Sequence, residues 1–199
     1  IEGNLFLSIV ARVQPAKIWT WVPLASAVGI AEGIRKLHPS LDLRIKWPND
    51  LWISGSKSGG ILCEGIGSSQ GTFIVIGIGL NCVGSPDRAA VDQDVTSLSE
   101  ALGHEVRADD VRMEVIQGVQ ASLEQLILAG PDEIARRYEA FPALLPGTEI
   151  TWGAQSEHKH GKVLGLGLAG ELKVLLETGA EESLYAEDVK VRLSDRRPR

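Results

Sequence analysis

The run Lys46-Trp47-Pro48-Asn49-Asp50-Leu51, closely followed by Lys57-Ser58-Gly59-Gly60-Ile61-Leu62-Cys63-Glu64, gathers the residue types that handle a phosphate or an acyl-phosphate. Lysine ammonium groups beside bare backbone can meet anionic oxygens and the charge that builds on them during transfer. Lys46 ends a strand-like run and Lys57 precedes a later one, so a strand–turn–strand path brings both to one edge of a sheet. Two ammonium groups converging there repel unless an anion comes between them. Taken alone, the pair is better read as two solvated lysines at a hairpin. Gly59-Gly60 adds weight to a site, because glycines entering a strand usually mark a close backbone approach by a ligand or another chain. Pro48 fixes its own φ and favours an extended Trp47, which sets the direction of Asn49 and Asp50. Asp50 could orient a lysine or bind a magnesium–phosphate complex, and Asn49 could cap the turn; Asn-Asp after Pro is also simply a good turn.

The run Gly77-Ile78-Gly79-Leu80-Asn81 again interrupts an apolar strand with glycines. No helix follows it in the manner of a dinucleotide fingerprint. Two glycine-bared strands side by side can admit a flat ligand against the face of a sheet. Asn81, at the strand end, both donates and accepts and so suits the edge of a base.

The elements that must hold these residues are short. Residues 4–13 form an apolar, β-branched run that suits a mostly buried strand. Residues 21–37 carry an amphipathic helical pattern closed by His38-Pro39. Strand-like runs follow at 41–47, 51–54, 61–66 and 72–80, and their tight Gly, Ser, Asn and Pro connections favour antiparallel neighbours. Residues 83–95 are polar and read as a loop. Ser97-Leu98-Ser99-Glu100 has capping-box spacing for a short helix ending at Gly103. A long helix is expected over 109–129, and Pro131 starts another through Tyr138. After Pro146-Gly147 the pattern changes to short strands at 149–152, 162–166, 171–177, 182–184 and 189–193, most of them separated by glycine turns, which suggests a small β-barrel. The expected organisation is a larger domain over 1–143 and a small one over 146–194.

Composition narrows the function classes. A hydrophobic content of 44% in 199 residues fits a globular chain with a real core. A net charge of −6 argues against a general nucleic-acid surface, and no apolar run is long enough to suggest a membrane span. Cys63 and Cys82 match no metal spacing and read as buried thiols of a reducing cytoplasm. His158-x-His160 lies in a polar turn without a third ligand, so no metal site is expected.

Gly3-Asn4-Leu5-Phe6-Leu7-Ser8, the block from Lys46 to Leu51, Lys57-x-Gly59-Gly60-Ile61-Leu62-x-Glu64, Gly77-x-Gly79-x-Asn81 and Thr96-Ser97-Leu98 together resemble, in order and spacing, the motifs of biotin protein ligases. The resemblance implies an α+β fold. Its larger part is a mixed or antiparallel sheet with helices, like that of the class II aminoacyl-tRNA synthetases, and a small SH3-like barrel comes after it. It implies ATP-dependent attachment of biotin, through biotinyl-5′-AMP, to a lysine of a biotin carboxyl carrier domain, with MgATP as co-substrate. Carried over by position, Lys57 would contact both the biotin carboxyl and the phosphate. Lys46 and Asp50 would lie at the phosphate and acceptor-lysine side, with Asn49 beside them and Asn81 at the adenine. Gly59, Gly60, Ile61 and Leu62, with Gly77 and Gly79, would form the biotin floor. A homodimer and a cytoplasmic location are further expectations. The family's Gly-Arg-Gly-Arg-x-Gly-Arg loop and the polar residues around the biotin ureido ring are expected just before residue 1, so these residues read as an N-terminally incomplete ligase, poorly active by itself. Some family members also carry an N-terminal DNA-binding domain, which nothing from Ile1 onward supports or excludes. The competing readings are a lipoate-attaching relative of the same fold and a non-catalytic protein that keeps the ligand floor.

Overall fold

Hairpin-length connections build the first sheet. The computed structural model describes residues 2–68, 71–86, 93–153, 158–186 and 192–193. Strand β1 (Leu5–Ala11) leads through a 3-10 turn (Ala16–Trp21) into helix α1 (Val22–Leu37). Strands β2 (Leu43–Lys46), β3 (Asp50–Ile53), β4 (Ser56–Ser68) and β5 (Gly71–Leu80) come next. They lie in the order β1-β5-β4-β3-β2, and every pair is antiparallel. The 3-10 turn has no counterpart in the sequence reading. Strand β4 is also longer than its apolar run, because its register with β5 continues from Gly59 opposite Leu80 to Ser68 opposite Gly71.

Alternation gives this sheet two unlike faces. Leu5, Ile45, Leu51, Ile53, Ile61, Ile74, Ile76, Ile78 and Leu80 are buried on one side, where α1 packs across β2, β3 and β4. The other side carries Phe6, Val10, Leu62 and Ile66 in the open. Beyond the sheet come α2 (Leu98–Leu102), α3 (Ala108–Leu128) and α4 (Pro131–Tyr138). The expected capping box is present: Glu100 N donates to Ser97 Oγ at 3.1 Å, and Ser97 N donates to Glu100 Oε2 at 3.0 Å. Helices α1 and α3 make the most extensive helix–helix contact. It is closest at two glycines: a Cβ on Gly118 would lie 2.1 Å from the Gly29 carbonyl oxygen. Arg137 on α4 forms a two-pronged ion pair with Glu32 on α1.

The chain divides into compact units at Ile1–Ala143 and Leu144–Arg199. The second unit holds β6 (Glu149–Trp152), β7 (Lys159–Leu166), β8 (Leu172–Leu176), β9 (Glu181–Leu184) and β10 (Arg192–Leu193). They form an antiparallel sheet in the order β10-β6-β7-β8-β9 around Ile150, Trp152, Val163, Leu172, Val174 and Leu184. The expected strands are there. Among the described residues no pairing of β9 with β10 closes them into a barrel. The polar stretch 87–92, the first residues of the strand expected at 189–193 and the basic tail lie outside the described residues.

Candidate active site

Register brings the motif residues into rows across the open face of the first sheet. Phe6 stands opposite Gly79, Gly79 opposite Gly60, Gly60 opposite Asp50, and Asp50 opposite Lys46. One level further along, Ser8, Gly77 and Leu62 form a second row. Side chains at the ends and none at the middle leave an open cleft of about 530 Å³. Phe6 and Ser8 form one margin, Gly60, Gly77 and Gly79 the floor, and Asn49, Asp50 and Lys57 the polar end. Leu62, 64% exposed, stands within it.

The glycines divide by cause. A Cβ on Gly59 would meet the Gly79 carbonyl oxygen at 2.6 Å, so the neighbouring strand itself excludes a side chain there. The sequence reading assigned Gly59 to the ligand floor, but its Cβ position is filled by protein, not by open cleft. A Cβ on Gly77 or Gly79 would find no atom closer than 3.6 Å, so these two could carry side chains and instead leave the floor bare. Gly60 lies beneath an ion pair, with its Cβ position 3.3 Å from Asp50 Oδ1 and 3.6 Å from Lys57 Nζ.

That ion pair is the electrostatic centre of the cleft. Lys57 Nζ lies 2.5 Å from Asp50 Oδ1, and the two side chains are 28% and 19% exposed. Lys57 reaches this face because of a β-bulge. Leu51 pairs with Gly59 but Trp52 pairs with Lys57, so Ser58 is the extra residue. Ser58 is fully buried, its hydroxyl without a partner, while Lys57 turns toward Asp50. The Lys57 backbone is clamped as well: its N–H donates to Asp94 at 2.9 Å, and its carbonyl accepts from Thr96 N–H at 2.9 Å. The Asp94–Thr96 clamp gave no signal in the sequence beyond the Thr-Ser-Leu run beside it.

The remaining motif residues take several positions. Asn49, in the turn between β2 and β3, donates its side-chain amide to the Ile61 carbonyl at 2.5 Å, and its backbone carbonyl accepts from Ile61 N–H at 3.0 Å, so it fixes the hairpin to β4. Ile61 itself is buried on the helix side and contributes backbone to the cleft. Asn81 does not line the cleft; its amide donates to the Thr96 carbonyl at 3.0 Å. Lys46 is 8% exposed, with its ammonium 4.8 Å from the centroid of the Trp52 ring. Asn4 ties the far end together. Its Oδ1 accepts from the backbone N–H groups of Cys82, Val83 and Gly84, and its amide donates to Gly84. Phe6 and Ser8 stood in the Gly3–Ser8 motif without a site role, although strict alternation in β1 already places them on one face, and Trp52 was not singled out from sequence. Burial pushes the Cys63 thiol up to about 12 and Cys82 to about 11. Neither thiol is a nucleophile of this site.

A cleft with a bare glycine floor, apolar margins and a lysine–aspartate pair at one end suits a flat, partly apolar molecule whose reacting end is anionic. Residues 2–81 match the model of the biotin/lipoate A/B protein ligase family. The biotin–[acetyl-CoA-carboxylase] ligase of Mycobacterium tuberculosis is 33% identical over 146 residues, which are 70% of this chain and 51% of that protein. The bifunctional ligase/repressor BirA of Bacillus subtilis is 29% identical over 196 residues, 96% of this chain and 59% of that protein. The chain therefore spans between half and three-fifths of these relatives' length. The biotin protein ligase of Aquifex aeolicus, solved in complex with biotin and ATP, superposes with a TM-score of 0.82 at 23% identity, covering 97% of this chain and 80% of that one. The apo form of the same protein gives 0.83 at 22% identity.

Proposed function

We propose, from the match of residues 2–81 to the biotin/lipoate A/B protein ligase family and from a fold shared with the biotin protein ligases, that the chain activates biotin with ATP and transfers it to a lysine of a biotin carboxyl carrier domain. In the first step a biotin carboxylate oxygen attacks the α-phosphorus of ATP. The bond to the β-phosphate bridge breaks, pyrophosphate leaves, and biotinyl-5′-AMP remains. In the second, the ε-amine of the acceptor lysine attacks the acyl carbon. The acyl–oxygen bond breaks toward AMP, and the amine gives up a proton.

The observation that carries this reading is the Lys57–Asp50 pair at the end of a glycine-floored cleft. Lys57 bridges the biotin carboxylate and the α-phosphate and meets the negative charge that develops between them. Such preorganised stabilisation is typically the largest single contribution a site makes. Asp50 holds Lys57 in direction, then faces the acceptor amine. Gly77, Gly79 and Gly60, with Ile61 and Leu62, form the floor under the fused rings and alkyl chain. Asn49 keeps the polar end in register, and Asn81, at the strand end, marks the adenine side. Magnesium enters on the phosphates of ATP. Asp50 is the acidic group that lines the cleft, and a magnesium ion on ATP would keep most of its water beside it. A cytoplasmic location is part of the same reading, because ATP and a carrier domain would have to meet the protein there. The reading extends to a homodimer, since β1 stands at an edge of its sheet.

The test is biotin-dependent exchange of labelled pyrophosphate into ATP by the protein expressed from its complete reading frame. Lys57→Ala is expected to cut exchange by about 10²–10³ fold with folding intact. Exchange near the unsubstituted rate would remove Lys57 from the chemistry.

A further inference from the structure

Strand β5 pairs with β4 as far as Leu80 opposite Gly59 and ends before it reaches Lys57. On that side the Lys57 backbone is met by a returning stretch of chain instead. Val95 forms a parallel bridge with Lys57, whose N–H donates to the Asp94 carbonyl and whose carbonyl accepts from the Thr96 N–H, each at 2.9 Å. On its other side Lys57 stands opposite Trp52 of β3, across the bulge. A bulge interrupts the ladder that normally fixes a strand's direction, so the returning strap does for Lys57 what β5 does for Gly59. Asn81 fastens the strap. Its side-chain amide donates to the Thr96 carbonyl at 3.0 Å. Its backbone N–H donates to the Ser58 carbonyl at 2.7 Å, and its own carbonyl accepts from the Leu98 N–H at 2.9 Å. One residue thus touches the bulge that turns Lys57, the strap beside it and the start of α2. Val95, 3% exposed, anchors the same strap by burial. The Thr96 carbonyl needs a donor at that point, and an asparagine amide offers one on a short side chain.

We propose that Asn81 is a positioning residue for Lys57. By pinning Asp94–Thr96 against the bulge, it sets where the Lys57 ammonium stands before the anionic end of a ligand arrives. Asn81 lies outside the lining of the cleft, so it acts through backbone and not by touching reacting atoms. The proposal rests on the ligase reading for what Lys57 does, though not for how Lys57 is held. A charged group displaced by a fraction of its working distance loses much of its effect on the reaction, so a brace of this kind shows in turnover before it shows in binding.

The test uses the protein from its complete reading frame. In Asn81→Ala, the backbone amides of Lys57 and Thr96 are expected to trade hydrogen with solvent about tenfold faster, while those of Ile76 and Ile78 in mid-strand keep their rates. Unchanged hydrogen exchange at Lys57 and Thr96 overturns the proposal. In the pyrophosphate assay, kcat should fall about tenfold with the KM for ATP moved by less than about twofold. The same substitution in a Lys57→Ala background should cost nothing further, since the residue it acts through is gone. A raised KM for ATP with kcat intact makes Asn81 a nucleotide contact, and an equal loss in both backgrounds makes it a general support; either overturns the positioning role. Val95→Ala supplies a second approach, because it loosens the strap without adding or removing a polar side chain. It should reproduce the drop in kcat and its dependence on Lys57, and loosened amides with a normal kcat would count against the proposal. If the unsubstituted protein turns over no pyrophosphate at all, the ligase reading falls, and the amide rates still decide whether Asn81 holds Lys57.

Discussion

Gly59 and Gly60 are neighbours in sequence, and the same substitution is expected to do different things to each. A Cβ on Gly59 drives into the Gly79 carbonyl, backbone that cannot step aside because β5 is paired on both sides. Gly59→Ala should therefore lower stability by about 1–3 kcal/mol in urea unfolding. A Cβ on Gly60 meets the mobile ends of Asp50 and Lys57 instead. Gly60→Ala should leave the urea midpoint nearly unchanged and reduce pyrophosphate exchange, because the methyl group presses on the ion pair. The half-buried Cys63 thiol and the buried Cys82 thiol give a pH prediction. Burial holds Cys63 protonated to about 12 and Cys82 to about 11, against 9.0 for an unhindered thiol. Iodoacetamide at pH 8 should label both far more slowly in the folded protein than in the unfolded chain. The preference for the neutral thiol stabilises the fold fully below pH 9 and is lost as pH rises from there toward 11 and 12. At this scale the sequence showed which residue types gather. It could not show that Gly59 serves its neighbour strand and Gly60 the cleft, since that depends on which face each one meets.

Among the elements, the crossing of α1 and α3 sets how closely the helical layer stacks. Gly29, Gly33 and Gly118 let backbone meet backbone there, with a Cβ on Gly33 only 2.5 Å from the Glu114 carbonyl oxygen. Gly118→Ala forces the helices apart along their contact. It is expected to cost about 1–3 kcal/mol, with far-UV circular dichroism unchanged before the transition. The helices themselves were legible because each carries its own terminators: the Ser97–Glu100 capping box, Gly103 in the left-handed region (φ 74°), and Pro131 at the start of α4. Their crossing was not legible, because a glycine within a helix looks the same whether it faces solvent or another backbone. The strands were read in the right order but with the wrong ends: β1 was read too long, at 4–13 against Leu5–Ala11, and β4 too short, at 61–66 against Ser56–Ser68. Apolar runs reveal where a strand is buried, whereas its length is set by how far the partner continues the ladder, as β5 does for β4. The bulge at Ser58 also left no trace in the pattern, although it decides which way Lys57 faces.

At the scale of the molecule, every residue of the cleft belongs to Ile1–Ala143, a unit with its own core. A chain ending at Ala143 is expected to unfold cooperatively in urea; a broad, non-cooperative transition would show that the unit depends on Leu144–Arg199. Within this unit, distance along the chain is distributed unevenly. Strands β2 to β5 are consecutive neighbours, joined by turns. Strand β1 instead finds β5 across about half of the unit, and the Asn4 side chain bridges a separation of 78 to 80 residues to reach Cys82, Val83 and Gly84. Closing so long a loop comes late when a chain gathers itself, since its entropy is lost before any contact repays it. The meander can assemble with Lys57 and Asp50 already in reach of one another, but the Phe6 and Ser8 margin arrives only with that final closure. In order of time, the floor precedes the wall, and a newly made molecule holds its charged pair before it has a place to put a ligand.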